Sequence, residues 1–182
     1  IEHKLGYNVM IDFLLKKREG IKNNLPIVGP VNENYWAFGD SYNKGAWVLH
    51  TLRNAINNDD LWFSTLKKFA VDNAKSHVST ETFLNYIISA TGKNYQLVFY
   101  QYFYDHRPPT FEYHQEGQKF YYRWSNVISG FAMPVDIDLN GVEKRLEVSE
   151  KLSSINISEH SVIHIRDWES LIITKRNPDL KN

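Results

Sequence analysis

Apolar residues recur at helical spacing through the first 107 positions. Val9, Met10, Phe13 and Leu14 share one face, polar Asn8, Asp12 and Lys16 lie between them, and Gly20 stands where that helix should stop. The stretch from Ile21 to Gly39 contains Pro26, Gly29, Pro30 and Gly39 and has no period, so it is read as a long loop, a kind of segment that often carries function. Asp40 is then expected to cap a helix running to about Asn57, in which Trp47, Val48, Leu49, Leu52 and Ile56 make a wide apolar stripe. Asn58-Asp59-Asp60 caps a third helix carrying Trp62, Phe63, Leu66, Phe69 and Ala70, with the two acids where the macrodipole favours them. Ser79 and Thr80 open a fourth (Phe83, Leu84, Ile87, Ile88), which ends at Gly92. A fifth, Tyr95 to about Asp105, is apolar and aromatic all round and is expected to be buried between other elements.

Pro108-Pro109 breaks that last helix, because proline lacks the donor and restricts the residue before it. Beyond it the period changes to 2. Phe111/Tyr113, Phe120/Tyr122/Trp124, Val135/Ile137/Leu139, Leu146/Val148, Ile155/Ile157, Ile163/Ile165 and Leu171/Ile173 predict about seven short strands, with Asn140-Gly141 a strong hairpin signal. The fold class is therefore α+β: a helical portion over residues 1–107 and a small β-sandwich over residues 108–182.

Composition narrows the function more than the fold. With 42% hydrophobic and 14% aromatic residues, the 182 residues can bury one good-sized core or two small ones. Lys plus Arg (21) equals Asp plus Glu (21), so the total charge gives no support to nucleic acid as a partner. The longest uncharged runs, such as Ser125 to Pro134, are too short and polar to span a bilayer, and no membrane partner is expected. The absence of cysteine removes disulfides, thiolate nucleophiles and Cys-ligated zinc together. The chain opens Ile1-Glu2-His3-Lys4, in or just before a helix, and is read as a piece of something longer. It has no His-Glu-x-x-His, no Gly-rich phosphate loop and no Gly-x-Ser-x-Gly elbow.

One segment goes further. Tyr42-Asn43-Lys44-Gly45-Ala46, followed by Trp47-Val48-Leu49 and by Leu52-Arg53, resembles the segment after the zinc site in the M1 family of metallo-aminopeptidases, the gluzincins that include aminopeptidase N and leukotriene A4 hydrolase. Arg18-Glu19-Gly20-Ile21-Lys22-Asn23 with Pro26-Ile27 looks like the stretch before the family's tyrosine, while Ser79 to Phe83, Thr91-Gly92-Lys93 and Pro108-Pro109 follow its order downstream. The resemblance covers nearly the whole chain. It implies the last helices of a thermolysin-like catalytic domain followed by a β-sandwich, in a zinc-dependent enzyme that removes N-terminal residues from peptides. By the same resemblance Tyr42 donates its phenolic proton to the oxyanion of the tetrahedral intermediate. The His-Glu-x-x-His helix, the later Glu ligand and the Gly-x-Met-x-Asn strand are expected before Ile1. The zinc ligands then lie outside this chain, and no cofactor is expected in the chain itself, which alone should be inactive. Its implied partners are a peptide substrate and the missing N-terminal half of the catalytic domain, with self-association through an exposed helical face when that half is absent.

The residues can be read without the resemblance. A phenol is protonated at neutral pH, and one at the first turn of a helix, beside a long loop, is well placed to meet developing negative charge. The plainer reading makes Tyr42 a half-buried aromatic staple. Lys44 opposes the helix dipole and should have an acidic partner or a structural hydrogen bond, with no catalytic role. Gly45 inside a helix suggests a close neighbour, most simply by packing, and His50 reads as a structural histidine rather than a ligand. His160 and His164 fall in an alternating strand, on one face but about 13 Å apart at ~3.3 Å per residue, too far to share an ion. Asp136 and Asp138 are expected to point outward from their strand, with little to support a glycosidase pair. Two other functions stay open: a non-catalytic M1-like scaffold, and an unrelated helical domain whose sandwich binds carbohydrate through exposed coplanar rings.

Overall fold

Side-chain caps and left-handed residues mark where several helices begin and end. The computed structural model describes residues 1–30, 32–35 and 40–181. Among the described residues six helices come first: α1 (Glu2–Leu5), α2 (Tyr7–Arg18), α3 (Asp40–Ile56), α4 (Asp59–Asp72), α5 (Thr80–Thr91) and α6 (Gln96–Phe103). Asn58 caps α4 by accepting the Leu61 N–H, and Ser79 and Thr82 form a reciprocal capping box on α5. Gly92, at φ 67°, closes α5 in the left-handed conformation that glycine adopts without strain. Seven strands follow: β1 (Thr110–Glu116), β2 (Lys119–Ser125), β3 (Val135–Leu139), β4 (Val142–Leu146), β5 (Ser153–Asn156), β6 (Ile163–Ile165) and β7 (Ile173–Arg176). They form two sheets, ordered β5-β2-β1-β7 and β4-β3-β6, antiparallel throughout except that β7 runs parallel to β1. The Asn140-Gly141 turn has φ of 55° and 81°, the pair of positive values a two-residue hairpin needs.

The buried residues make one contiguous core. It runs from Leu14, Trp47 and Leu52 through Phe99 and Tyr102 to Phe111, Trp124, Ile137 and Leu171, and so includes both helices and sheets. Several expectations are corrected. On α2 the buried residues are Ile11 and Leu14, while Val9 and Phe13 stand in solvent. The α6 helix is buried through Val98, Phe99, Gln101 and Tyr102 but leaves Leu97, Tyr100 and Tyr104 exposed, so it is not covered on every side. All four residues of β7 are exposed, Ile173 included, whereas Leu171 and Ile172 before it are buried.

Leu171 and Ile172 belong to an irregular strap between β6 and β7, whose polar backbone groups are satisfied by helix side chains. Arg18 of α2 donates to the carbonyls of Asp167 (3.0 Å) and Ile172. From α3, Asn54 donates to Glu169 O (2.8 Å), and Thr51 Oγ1 accepts the Leu171 N–H (2.9 Å). The Tyr102 hydroxyl of α6 donates to Leu171 O (3.0 Å). His50 Nε2 lies 3.2 Å from Trp168 O, and because a carbonyl only accepts, that nitrogen carries the proton. A segment without regular structure is thus paid for by side chains from three helices.

Burial, and to a smaller degree Arg53, holds the His50 imidazole below its ordinary range, against the opposing effects of the Trp168 carbonyl, Glu2 and Asp59. The folded chain therefore binds a proton there less readily than the unfolded chain does. The stability this contributes is present above the unfolded value of about 6.5 and is lost as the pH falls toward the depressed folded value. Glu169 and Asp136, raised by burial, act with the opposite sign, so the contribution of His50 is isolated by comparison with a variant. The urea midpoint measured between pH 7.5 and 5.5 is expected to fall more steeply for the parent chain than for His50→Gln. Equal slopes would refute this assignment.

Candidate functional site

The head of α3 projects Tyr42 while two neighbouring side chains are fully withdrawn. Tyr42 is 75% exposed, and among the described residues nothing bonds its hydroxyl. It is not packed as a staple. Asp40 and Lys44, on either side of it in sequence, are 2% and 0% exposed. Asp40 does not cap its own helix as expected: its two carboxylate oxygens accept the backbone N–H groups of Lys22 (3.0 Å) and Asn23 (2.8 Å), tying the start of the preceding loop to α3. Lys44 reaches out of α3 to the carbonyls of His106 (3.1 Å) and Asp105 (3.5 Å), just past the end of α6, where the helix dipole favours a cation. Burial lowers the proton affinity of this ammonium, and the nearby carboxylates of Asp40 and Asp105 work against that. The sequence expectation of a structural partner for Lys44 is met by backbone carbonyls.

The loop beside Tyr42 is held at further points. The Val28 N–H donates to Phe103 O (3.0 Å), and the Tyr35 hydroxyl donates to Pro26 O (2.7 Å). A Cβ on Gly29 would lie 2.1 Å from Cγ of Tyr35, so only glycine leaves room for that ring. Residues 31 and 36–39 of the predicted loop, Gly39 among them, lie outside the described residues. At Gly45 the packing expectation finds no support: among the described residues a Cβ there would meet nothing within 4 Å. Tyr42, Gly45, Ala46 and Leu49 follow one another at helical spacing, and of these Tyr42, Ala46 and Leu49 are exposed.

The other sequence candidates lie elsewhere. His50 is a buried strap ligand, as a structural histidine should be. His160 sits in a turn, not in the strand, and His164 is on β6; both are exposed. Asp136 and Asp138 do not point outward into solvent. Asp136 pairs with Arg145 (2.8 Å), which also donates to the carbonyls of Asn54 and Ala55 at the end of α3, and Asp138 pairs with Arg166 (3.3 Å). Asp136, with a side chain 10% exposed, thus sits in an ion pair between sheet and helix, whereas Asp138 is half-buried beside the residue that follows β6. Among the described residues no three His, Asp or Glu are grouped so as to hold a metal ion, and no helix is long and apolar enough to cross a membrane. The aromatic rings of the sheet region, from Phe111 to Phe131, are buried or half-buried, and Trp168 is half-buried, so the exposed platform that carbohydrate binding requires is missing from these residues.

What sequence reasoning missed is the polar pair beneath Tyr42. Its one legible signal was an Asp and a Lys spaced i, i+4 at a helix start, on the face opposite the tyrosine.

Comparison with known proteins supports the fold. No protein-family model matches the chain, and no curated protein matches it. Among solved structures, that of aminopeptidase A from Legionella pneumophila, in complex with aspartic acid, is similar with a TM-score of 0.66 and 17% identity. The match covers 86% of this chain and 21% of that one, so the chain spans about a fifth of the length of its structural neighbour. At this identity the likeness concerns the fold: helices followed by two sheets, arranged as in part of an aminopeptidase.

Proposed function

We propose that this chain is part of an M1-type aminopeptidase: the closing helices of a thermolysin-like catalytic domain with the β-sandwich that follows. The observation that carries the reading is the exposed phenol of Tyr42, held out at the head of α3 in a fold shared with part of an aminopeptidase. In the reaction a peptide carbonyl is attacked and its oxygen gathers negative charge. Tyr42 donates a hydrogen bond to that oxygen and stabilises the tetrahedral intermediate. Among the described residues no group of His, Asp and Glu is placed to hold zinc. The family resemblance assigns the zinc ligands and the glutamate base to residues outside this chain.

The exposed apolar residues fit the same reading. Val9 and Phe13 on α2, and Ala46 and Leu49 on α3, are the surface on which the preceding half of the catalytic domain would sit, and on which copies of the isolated chain would meet. The test starts from the gene. Upstream of Ile1 we expect His-Glu-x-x-His and a further Glu; the longer protein should release 4-nitroaniline from aminoacyl 4-nitroanilides, and the 182-residue chain should not. An upstream sequence without those residues would favour the non-catalytic scaffold instead.

A further inference from the structure

On a helix, residues i and i+4 lie one above the other, while i+2 points to the opposite side. Asp40 and Lys44 thus form one buried edge of α3, and Tyr42, two residues from each, stands away from it. Burying a carboxylate and an ammonium is costly unless both are bonded, and an apolar pair could fill the same space without that cost. What the polar pair adds is direction. Asp40 is bonded to the backbone at Lys22 and Asn23, Lys44 to the backbone at Asp105 and His106, so the first turn of α3 is fixed from two sides in both rotation and height.

We infer that Asp40 and Lys44 are positioning residues for Tyr42, setting where its hydroxyl meets the substrate carbonyl. The inference rests on the reading of Tyr42 as an oxyanion donor. Such a donor works at about 2.7–3.1 Å from the developing charge, and a displacement of ~1 Å can cost about 10²-fold in rate. Neither Asp40 nor Lys44 touches the substrate; both act through the tyrosine.

The test is a double-mutant cycle in the longer protein, with L-alanyl and L-leucyl 4-nitroanilides as probes. Asp40→Asn keeps the size of the side chain but turns an amide N–H toward one of the two donors it must accept. It should lower kcat by about 10-fold to 10²-fold, with KM changed by less than about threefold. In the Tyr42→Phe background the same substitution should change kcat by less than about twofold, because the group it positions is gone. Lys44→Met should give the same pattern, and it decides the question if Asp40→Asn does not fold. Equal falls in both backgrounds, or an unchanged kcat for Asp40→Asn, would overturn the inference and leave the role of Tyr42 standing. Normal turnover by Tyr42→Phe alone would remove the underlying reading, and the inference with it.

Discussion

Tyr42→Phe in the longer protein is expected to lower kcat by about 10²–10³, the usual loss when one oxyanion donor is removed, equivalent to roughly 2.7–4 kcal/mol of transition-state stabilisation. The change deletes one oxygen from a side chain that is 75% exposed and has no bonding partner among the described residues. Folding stability should therefore move by less than about 0.5 kcal/mol, which urea denaturation of the 182-residue chain can check directly. The kinetic pattern is informative as well. A donor that acts only on the developing oxyanion lowers kcat and kcat/KM together, whereas a residue that merely holds the peptide raises KM at constant kcat. Turnover within about threefold of the parent, or a pure KM effect, would dismiss the oxyanion role.

The largest stability effect is expected from Trp47→Ala. Trp47 is fully buried, its indole N–H donates to Leu14 O (2.8 Å), and the guanidinium of Arg18 stacks 5.4 Å from its ring. The ring also meets His50 edge-on, with centroids 5.7 Å apart. Removing it should cost about 3–5 kcal/mol, a large share of the roughly 5–15 kcal/mol that a domain has in total. Tm should fall by about 6–20 °C. Because Arg18 and His50 both rest on Trp47 and both bind the strap, the sheets should unfold with the helices. One calorimetric transition, moved down as a whole, is the expected result. A second transition left at the parent temperature would show that the strap does not couple the two regions.

The legible parts of this fold were those written in local chemistry. Asn58, Ser79 and Gly92 mark helix ends by capping, and Asn140-Gly141 marks a hairpin by its backbone freedom, so their positions followed from a few adjacent residues. The illegible parts depend on distant partners. Periodicity shows that α2 carries apolar positions but not which of them meets α3: Leu14 is buried as its spacing suggests, whereas Ile11 takes the place that Val9 and Phe13 were expected to hold. Leu171 and Ile173 looked like alternate residues of one strand, because the bonds that make Leu171 part of a strap come from Thr51 and Tyr102, far away in the chain. Asp136 and Asp138 alternate with buried Val135 and Ile137 like surface residues, yet Arg145 of the neighbouring strand covers Asp136 and Arg166 of the strap half-covers Asp138. At the candidate site, the motif that points to Tyr42 says nothing of the Asp40 partners, since an aspartate at the start of a helix gives no sign of whose N–H groups it will accept.

The chain crosses from helices to sheets once, at Pro108-Pro109, which invites the thought that the two regions could be exchanged like modules. The strap closes that route. A chimera joining these helices to a foreign pair of sheets would strand the donors of Arg18, His50, Asn54 and Tyr102 without acceptors, and a foreign set of helices would do the same to the carbonyls of residues 167–172. Recombinants that keep these bonds must take both sides together, because no single crossover point respects them.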